Sequence, residues 1–129
     1  MTPIAVTIAQ EDAPTGIVTL IGEHDAYSAA RLENELALLV DRGIRVVVDL
    51  SEATFVDSQT LSVLLSARHS AETAGVGFTL VLPREPYTQV HRILELTGLA
   101  SAFAIFPTLK RASAAARESV NAGERMRAA

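Results

Sequence analysis

Apolar and polar positions alternate with period two over Ile4-Ala5-Val6-Thr7-Ile8 and again over Ile17-Val18-Thr19-Leu20-Ile21. This is the pattern of half-buried strands. Between them the stretch from Glu11 to Gly16 holds Asp12, Pro14 and Gly16, which predicts a hairpin connection. Gly22-Glu23-His24-Asp25 breaks the alternation. Leu32, Leu36, Leu39 and Val40 then fall at helical spacing, so a helix is predicted from about Ser28 to Arg42. Asp25 or Ser28 suits its N-cap and Gly43 its left-handed end. Arg45-Val46-Val47-Val48-Asp49-Leu50 is a continuous apolar run of the kind buried on both faces of a parallel sheet. Thr54-Phe55-Val56 reads as a short extended piece leading into Asp57-Ser58, where a second helix starts. Leu61, Leu64 and Leu65 form its inner stripe, continued by the stem of Arg68 and by Ala71, and Gly75 and Gly77 end it.

Phe78 to Leu82 is another buried strand. Pro86 suits the first turn of a third helix, with Val90, Ile93 and Leu94 facing inward and Gly98 as its stop. Phe103 to Phe106 supplies a fifth strand, and Thr108 to about Val120 an amphipathic last helix. The resulting order is β-β-α-β-α-β-α-β-α. Strands alternating with helices imply an α/β domain with right-handed crossovers and a mainly parallel sheet, the hairpin adding an antiparallel N-terminal edge strand. One domain over residues 1–120 is expected, with 121–129 a frayed tail that has little to bury. In a parallel sheet the segments after the second and third strands leave at the same end. Gly22 to Asp25 and Asp57-Ser58 are therefore expected to be neighbours at helix N-termini.

Composition bounds the chemistry. With 129 residues and 49% apolar side chains, the chain can pack one core. The absence of cysteine removes disulfides, thiolate metal sites and a cysteine nucleophile. No apolar run reaches the roughly 18 residues of a membrane span, and Met1-Thr2-Pro3 does not open an export signal. A cytoplasmic protein without direct nucleic-acid or membrane contact is expected. The net charge of −4 agrees, because binding a phosphate backbone needs a basic face. Five basic and two acidic residues lie from Lys110 onward, the pattern of a solvated last helix.

Catalytic motifs are missing: there is no Gly-x-Ser-x-Gly elbow, no phosphate loop and no dinucleotide fingerprint. His24, His69 and His91 sit on separate elements without zinc-ligand spacing, so no metal or other cofactor is expected. His24 reads as a solvated loop residue, or as a pH-sensitive part of an interface. Glu23, Asp25 and Asp57 could form an acid cluster, although helix capping by Asp25 and Asp57 with Glu23 in solvent accounts for them. Ser58 with His24 is the one nucleophile–base pair available to an enzyme, and no oxyanion-forming glycine follows the serine. An acyl-phosphate receiver domain fits poorly, because a second strand follows Glu11-Asp12 with no helix between.

Three segments together resemble one family. Val46-Val47-Val48-Asp49-Leu50-Ser51 followed by Phe55-Val56-Asp57-Ser58-Gln59-Thr60-Leu61 is similar to the signature of the STAS domain, the module named after sulfate transporters and anti-sigma factor antagonists. In that family a strand ending Asp-Leu leads to Asp-Ser-Ser/Thr-Gly-Leu at a helix start. Gly22-Glu23-His24-Asp25 resembles its Gly-Glu-Leu-Asp, and Arg92-Ile93-Leu94-Glu95-Leu96-Thr97-Gly98-Leu99 its third-helix ending. The likeness spans about residues 4 to 120.

The resemblance implies a non-enzymatic binding switch. Free-standing members bind a serine kinase that is also an anti-sigma factor, and so release the sigma factor. The kinase phosphorylates the serine after the motif aspartate, here Ser58, and a serine phosphatase reverses this. The implied partner face comprises Glu23, His24, Asp25, Asp57, Ser58, Gln59, Thr60 and Ser62, with Ser66 further along the same side of the helix. Gln59-Thr60 departs from the usual Ser/Thr-Gly, and branched Thr60 is expected to add bulk on the first turn. The other reading is a STAS subunit of a larger signalling assembly or transporter complex that binds constitutively. The mainly Ser and Thr outer face of the second helix favours transient binding.

Overall fold

The computed structural model describes the backbone of residues 4–9 and 14–128 and side chains as far as residue 118. Most of the hairpin connection, and the side chains of the expected tail, lie outside the described residues. The two alternating segments are strands β1 (Ile4–Ala9) and β2 (Thr15–Leu20), paired antiparallel with Ile4 opposite Leu20. A third short strand, β3 (Gly22–His24), occupies the segment that breaks the sequence pattern. Gly22 lies at φ 80° there, a left-handed turn that bends the chain out of β2.

Helix α1 (Ala26–Asp41) buries Leu32, Leu36, Leu39 and Val40 as the spacing requires. Strand β4 (Arg45–Asp49) is followed by β5 (Ala53–Val56), then helix α2 (Ser58–Ala74), which ends on left-handed Gly75. After β6 (Phe78–Val81), helix α3 (Gln89–Thr97) begins three residues later than Pro86 suggests. Thr88 caps it, its hydroxyl accepting from the His91 amide, and Pro86 lies in the preceding turn. A 3-10 turn (Leu99–Ala102), β7 (Ala104–Phe106) and α4 (Leu109–Ala128) complete the chain. Phe103 packs in the core ahead of β7 rather than within it.

The main sheet has the order β1-β2-β4-β6-β7, antiparallel only between β1 and β2. Its two faces are both covered, which explains the unbroken apolar run of β4. Val46, Val48 and Leu50 join the core under α1, α2 and α3, whereas Val47 packs with Val81, Ala112 and Ala116 under α4. The alternation of side chains across a strand requires this split. Helix α4 approaches closely because its contact residues are small, and because a Cβ at Gly77 would overlap the backbone of Ala116.

Strands β3 and β5 form a second, two-stranded parallel sheet. They extend β2 and β4 beyond the end of the main sheet, and they hold the two segments that the topology makes neighbours.

Candidate functional site

The register of the small sheet places Glu23 opposite Phe55 and His24 opposite Val56. One residue further on, the amide of Asp57 donates to the carbonyl of His24 at 3.1 Å. Each strand then turns directly into a helix, so α1 and α2 start side by side.

Both starts are capped by aspartate. Asp25 accepts from the Tyr27 amide at 2.9 Å, and the Asp25 amide donates to the Ser28 hydroxyl at 3.2 Å, completing a capping box. On α2, Asp57 Oδ1 accepts from the Thr60 amide at 2.8 Å. Asp57, not Ser58, is therefore the cap, which leaves the Ser58 hydroxyl out of the helix's own termination. Ser58 is the first residue of α2 and is exposed, as are Gln59, Ser62 and Ser66 along the same side. The amides of a first turn have no intrahelical acceptor, and the helix dipole adds partial positive charge there. An anion on Ser58 would be tolerated by the helix, while the carboxylates of Asp57, Asp25 and exposed Glu23 would oppose it.

Two of the predicted partner-face residues are buried. His24 is fully buried rather than solvated. Its Nε2 donates to the carbonyl of Ile21 at 3.1 Å and its Nδ1 lies 3.2 Å from the Ser28 hydroxyl. Both ring nitrogens are thus engaged inside the loop, so His24 cannot serve Ser58 as a base and its ring cannot touch a partner. Burial pushes its pKa below the ordinary value, against a smaller opposing pull from the Ile21 carbonyl and the Asp25 charge. Thr60 is also fully buried. Its hydroxyl lies 2.9 Å from Asp57 Oδ1 and 3.2 Å from the His24 carbonyl, both acceptors for its one proton. It adds no bulk to the outer surface; it ties the two helix starts together from beneath. Among the described residues no three of His, Asp and Glu converge as metal ligands, and no helix is long and apolar enough to cross a membrane.

The site also contains residues the sequence reading left out. Tyr27, on the first turn of α1, is 95% exposed, and Phe55, beside Glu23, is 40% exposed. They give the acidic rim an apolar component. The signal for Phe55 was present: in an extended Thr-Phe-Val with Val56 inward, Phe55 must face out. Gln89 is a second omission. Its carboxamide accepts from the Val56 amide at 2.9 Å and donates to the Val56 carbonyl at 2.8 Å, across 33 residues of sequence.

Residues 6–112 match the family model described as the STAS domain. Among solved structures, an anti-sigma factor antagonist from Mycobacterium paratuberculosis is 31% identical, with a TM-score of 0.72 over 89% of this chain and 95% of that one. The anti-sigma factor antagonist SpoIIAA in its unphosphorylated form is 13% identical, with a TM-score of 0.63 over 84% of this chain and 94% of its own. The Bacillus cell fate determinant SpoIIAA in its phosphorylated form is 17% identical, with a TM-score of 0.62 over 84% and 96%. These last two share the fold.

Proposed function

The chain belongs to the STAS domain family, and on that premise we propose that it is an anti-sigma factor antagonist switched by phosphorylation of Ser58. In its unmodified form it binds an anti-sigma factor that is also a serine kinase, and the sigma factor is released. The kinase transfers the γ-phosphoryl group of ATP to the Ser58 oxygen, the hydroxyl proton leaves, and binding is lost. A serine phosphatase restores the binding form. The protein acts in the cytoplasm as a binding module, with no catalysis, cofactor or nucleic-acid contact of its own.

The observation that carries this reading is the division of labour at the start of α2. Asp57 caps the helix and Thr60 points inward, so Ser58 is left exposed with no structural task. A phosphate adds about −1.5 to −2 charges at neutral pH. On that surface it follows Asp57 directly, and the start of α1 with Asp25 and exposed Tyr27 is joined to the same end of the small sheet. The phosphate changes the docking face by charge and bulk, and leaves the core untouched. Since Thr60 is buried, the departure from the usual Ser/Thr-Gly does not crowd the approach to Ser58. Glu23, Asp25, Asp57, Gln59 and Ser62 surround the serine as the partner-facing rim.

The test is incubation with the cognate serine kinase and ATP, followed by location of the added phosphate by mass spectrometry. Modification at Ser58, absent in Ser58→Ala, is the expected result. Modification elsewhere, or none, would leave a constitutive subunit of a larger assembly as the better reading.

A further inference from the structure

Strand β5 pairs with β3 along one edge only. Along the other edge the backbone of Val56 meets the side chain of Gln89, which presents one acceptor and one donor as a neighbouring strand would. A carboxamide matches a peptide group in this respect, so both bonds form with a single orientation of the side chain. Val56 immediately precedes the Asp57 cap, and its own side chain is fully buried. The backbone that delivers Ser58 to the surface is thus held by β3 on one side and by Gln89 on the other.

The loop before Gln89 carries a second, independent observation. Tyr87 has φ 64°, the only positive φ outside glycine among the described residues, although its side chain is 86% exposed. A bulky residue in the left-handed region is strained, and here no burial of the ring offsets the strain. The turn instead sets the direction in which the chain enters Thr88 and Gln89 at the start of α3.

We propose that Gln89 is a positioning residue for Ser58, its carboxamide standing in for a missing third strand beside β5 and so fixing the start of α2. The consequence for switching rests on the reading of Ser58 given above; the positioning itself does not require a kinase to be known.

The test exploits the absence of native cysteine. Two quantities are measured: hydrogen exchange of the Val56 amide, and the thiol titration of Ser58→Cys, read from the pH dependence of its alkylation rate. An ordered first turn draws the titration of a thiol at position 58 down, while the carboxylates of Asp57, Asp25 and Glu23 draw it up, so the reading is the change between variants and not the absolute value. Gln89→Ala should speed Val56 exchange by about tenfold, the size of one lost hydrogen bond, and move the titration of the introduced thiol upward, because a loosened first turn withdraws the helix contribution while Asp57 stays adjacent in the chain. Gln89→Glu supplies a signature that packing alone would not. Ionised, its second oxygen faces the Val56 carbonyl and the variant resembles Gln89→Ala. Protonated, at acidic pH, the carboxyl again offers one donor and one acceptor, and the exchange ratio to wild type returns towards one. Unchanged Val56 exchange in Gln89→Ala would overturn the proposal, as would faster exchange with an unmoved thiol titration. A failure of the Ser58 reading would show instead in where a kinase places phosphate, and would leave these two measurements intact.

Discussion

The amide of Asp57 donates to the carbonyl of His24 at 3.1 Å, although 33 residues separate them in the chain. This bond continues the β3–β5 ladder by one step and joins the cap of α2 to the residue before the cap of α1. The two helix starts are consequently one unit, braced from below by Thr60 and His24 and exposed above at Ser58.

Thr60 should be replaceable in shape but not in chemistry. Thr60→Val keeps the volume but removes the hydroxyl that reaches Asp57 and the His24 carbonyl. Both acceptors keep another donor, the Thr60 amide for Asp57 and the Asp57 amide for His24. The expected loss is therefore about 1 kcal/mol, read from urea unfolding as a lower midpoint with an unchanged slope.

His24 should make stability fall on mild acidification. Its folded pKa lies below the ordinary value because burial disfavours the charged ring. The unfolded chain takes up a proton as pH drops through about 6.5, while the folded state does not. Stability is therefore unaffected by His24 above that pH and declines below it, until the folded pKa is reached. In a His24→Gln variant this part of the decline between pH 7 and 5 should vanish, as measured by unfolding free energy against pH.

The exposed aromatics should matter for docking and not for folding. Tyr27→Ala removes a side chain that is 95% exposed, so stability should stay within about 0.5 kcal/mol. Affinity for the anti-sigma partner should drop by about tenfold, the scale of an aromatic interface contact. Isothermal titration calorimetry on wild type and variant separates the two effects.

Gly77 should be intolerant of any side chain. Gly77→Ala directs a methyl at the Ala116 backbone, and α4 must shift away from Val47 and Val81 to make room. A cost of about 1–3 kcal/mol is expected, visible as a lower thermal midpoint.

Most of the fold was legible because each long element announces its own period. The β4 run is apolar throughout since both of its faces are covered, and the α1 stripe at Leu32, Leu36, Leu39 and Val40 is buried as spaced. The adjacency of the Asp25 and Asp57 segments followed from parallel connectivity. What stayed hidden depends on contacts between distant segments. His24 sits in the polar string Gly-Glu-His-Asp, and only the positions of the Ile21 carbonyl and Ser28 make its burial possible. Gln89 satisfies Val56 through a pairing that neither segment encodes alone. Pro86 suggests a helix start, but the left-handed Tyr87 delays it and Thr88 takes the cap.

The most direct measurement compares the unmodified protein with one carrying phosphoserine at position 58, for both thermal unfolding and affinity for the proposed partner, an anti-sigma factor with serine kinase activity. At the helix start the dipole favours the phosphate by about 0.3–1 kcal/mol, and the neighbouring carboxylates oppose it, so the unfolding midpoint should hardly move. The affinity should fall at least about tenfold, since docking desolvates the phosphate together with this chain's own Asp57 and Asp25 carboxylates, and its bulk blocks the close approach, costs that together exceed the 1.4 kcal/mol this represents. Equal affinities, or a phosphorylated chain that has lost its cooperative unfolding, would contradict the account.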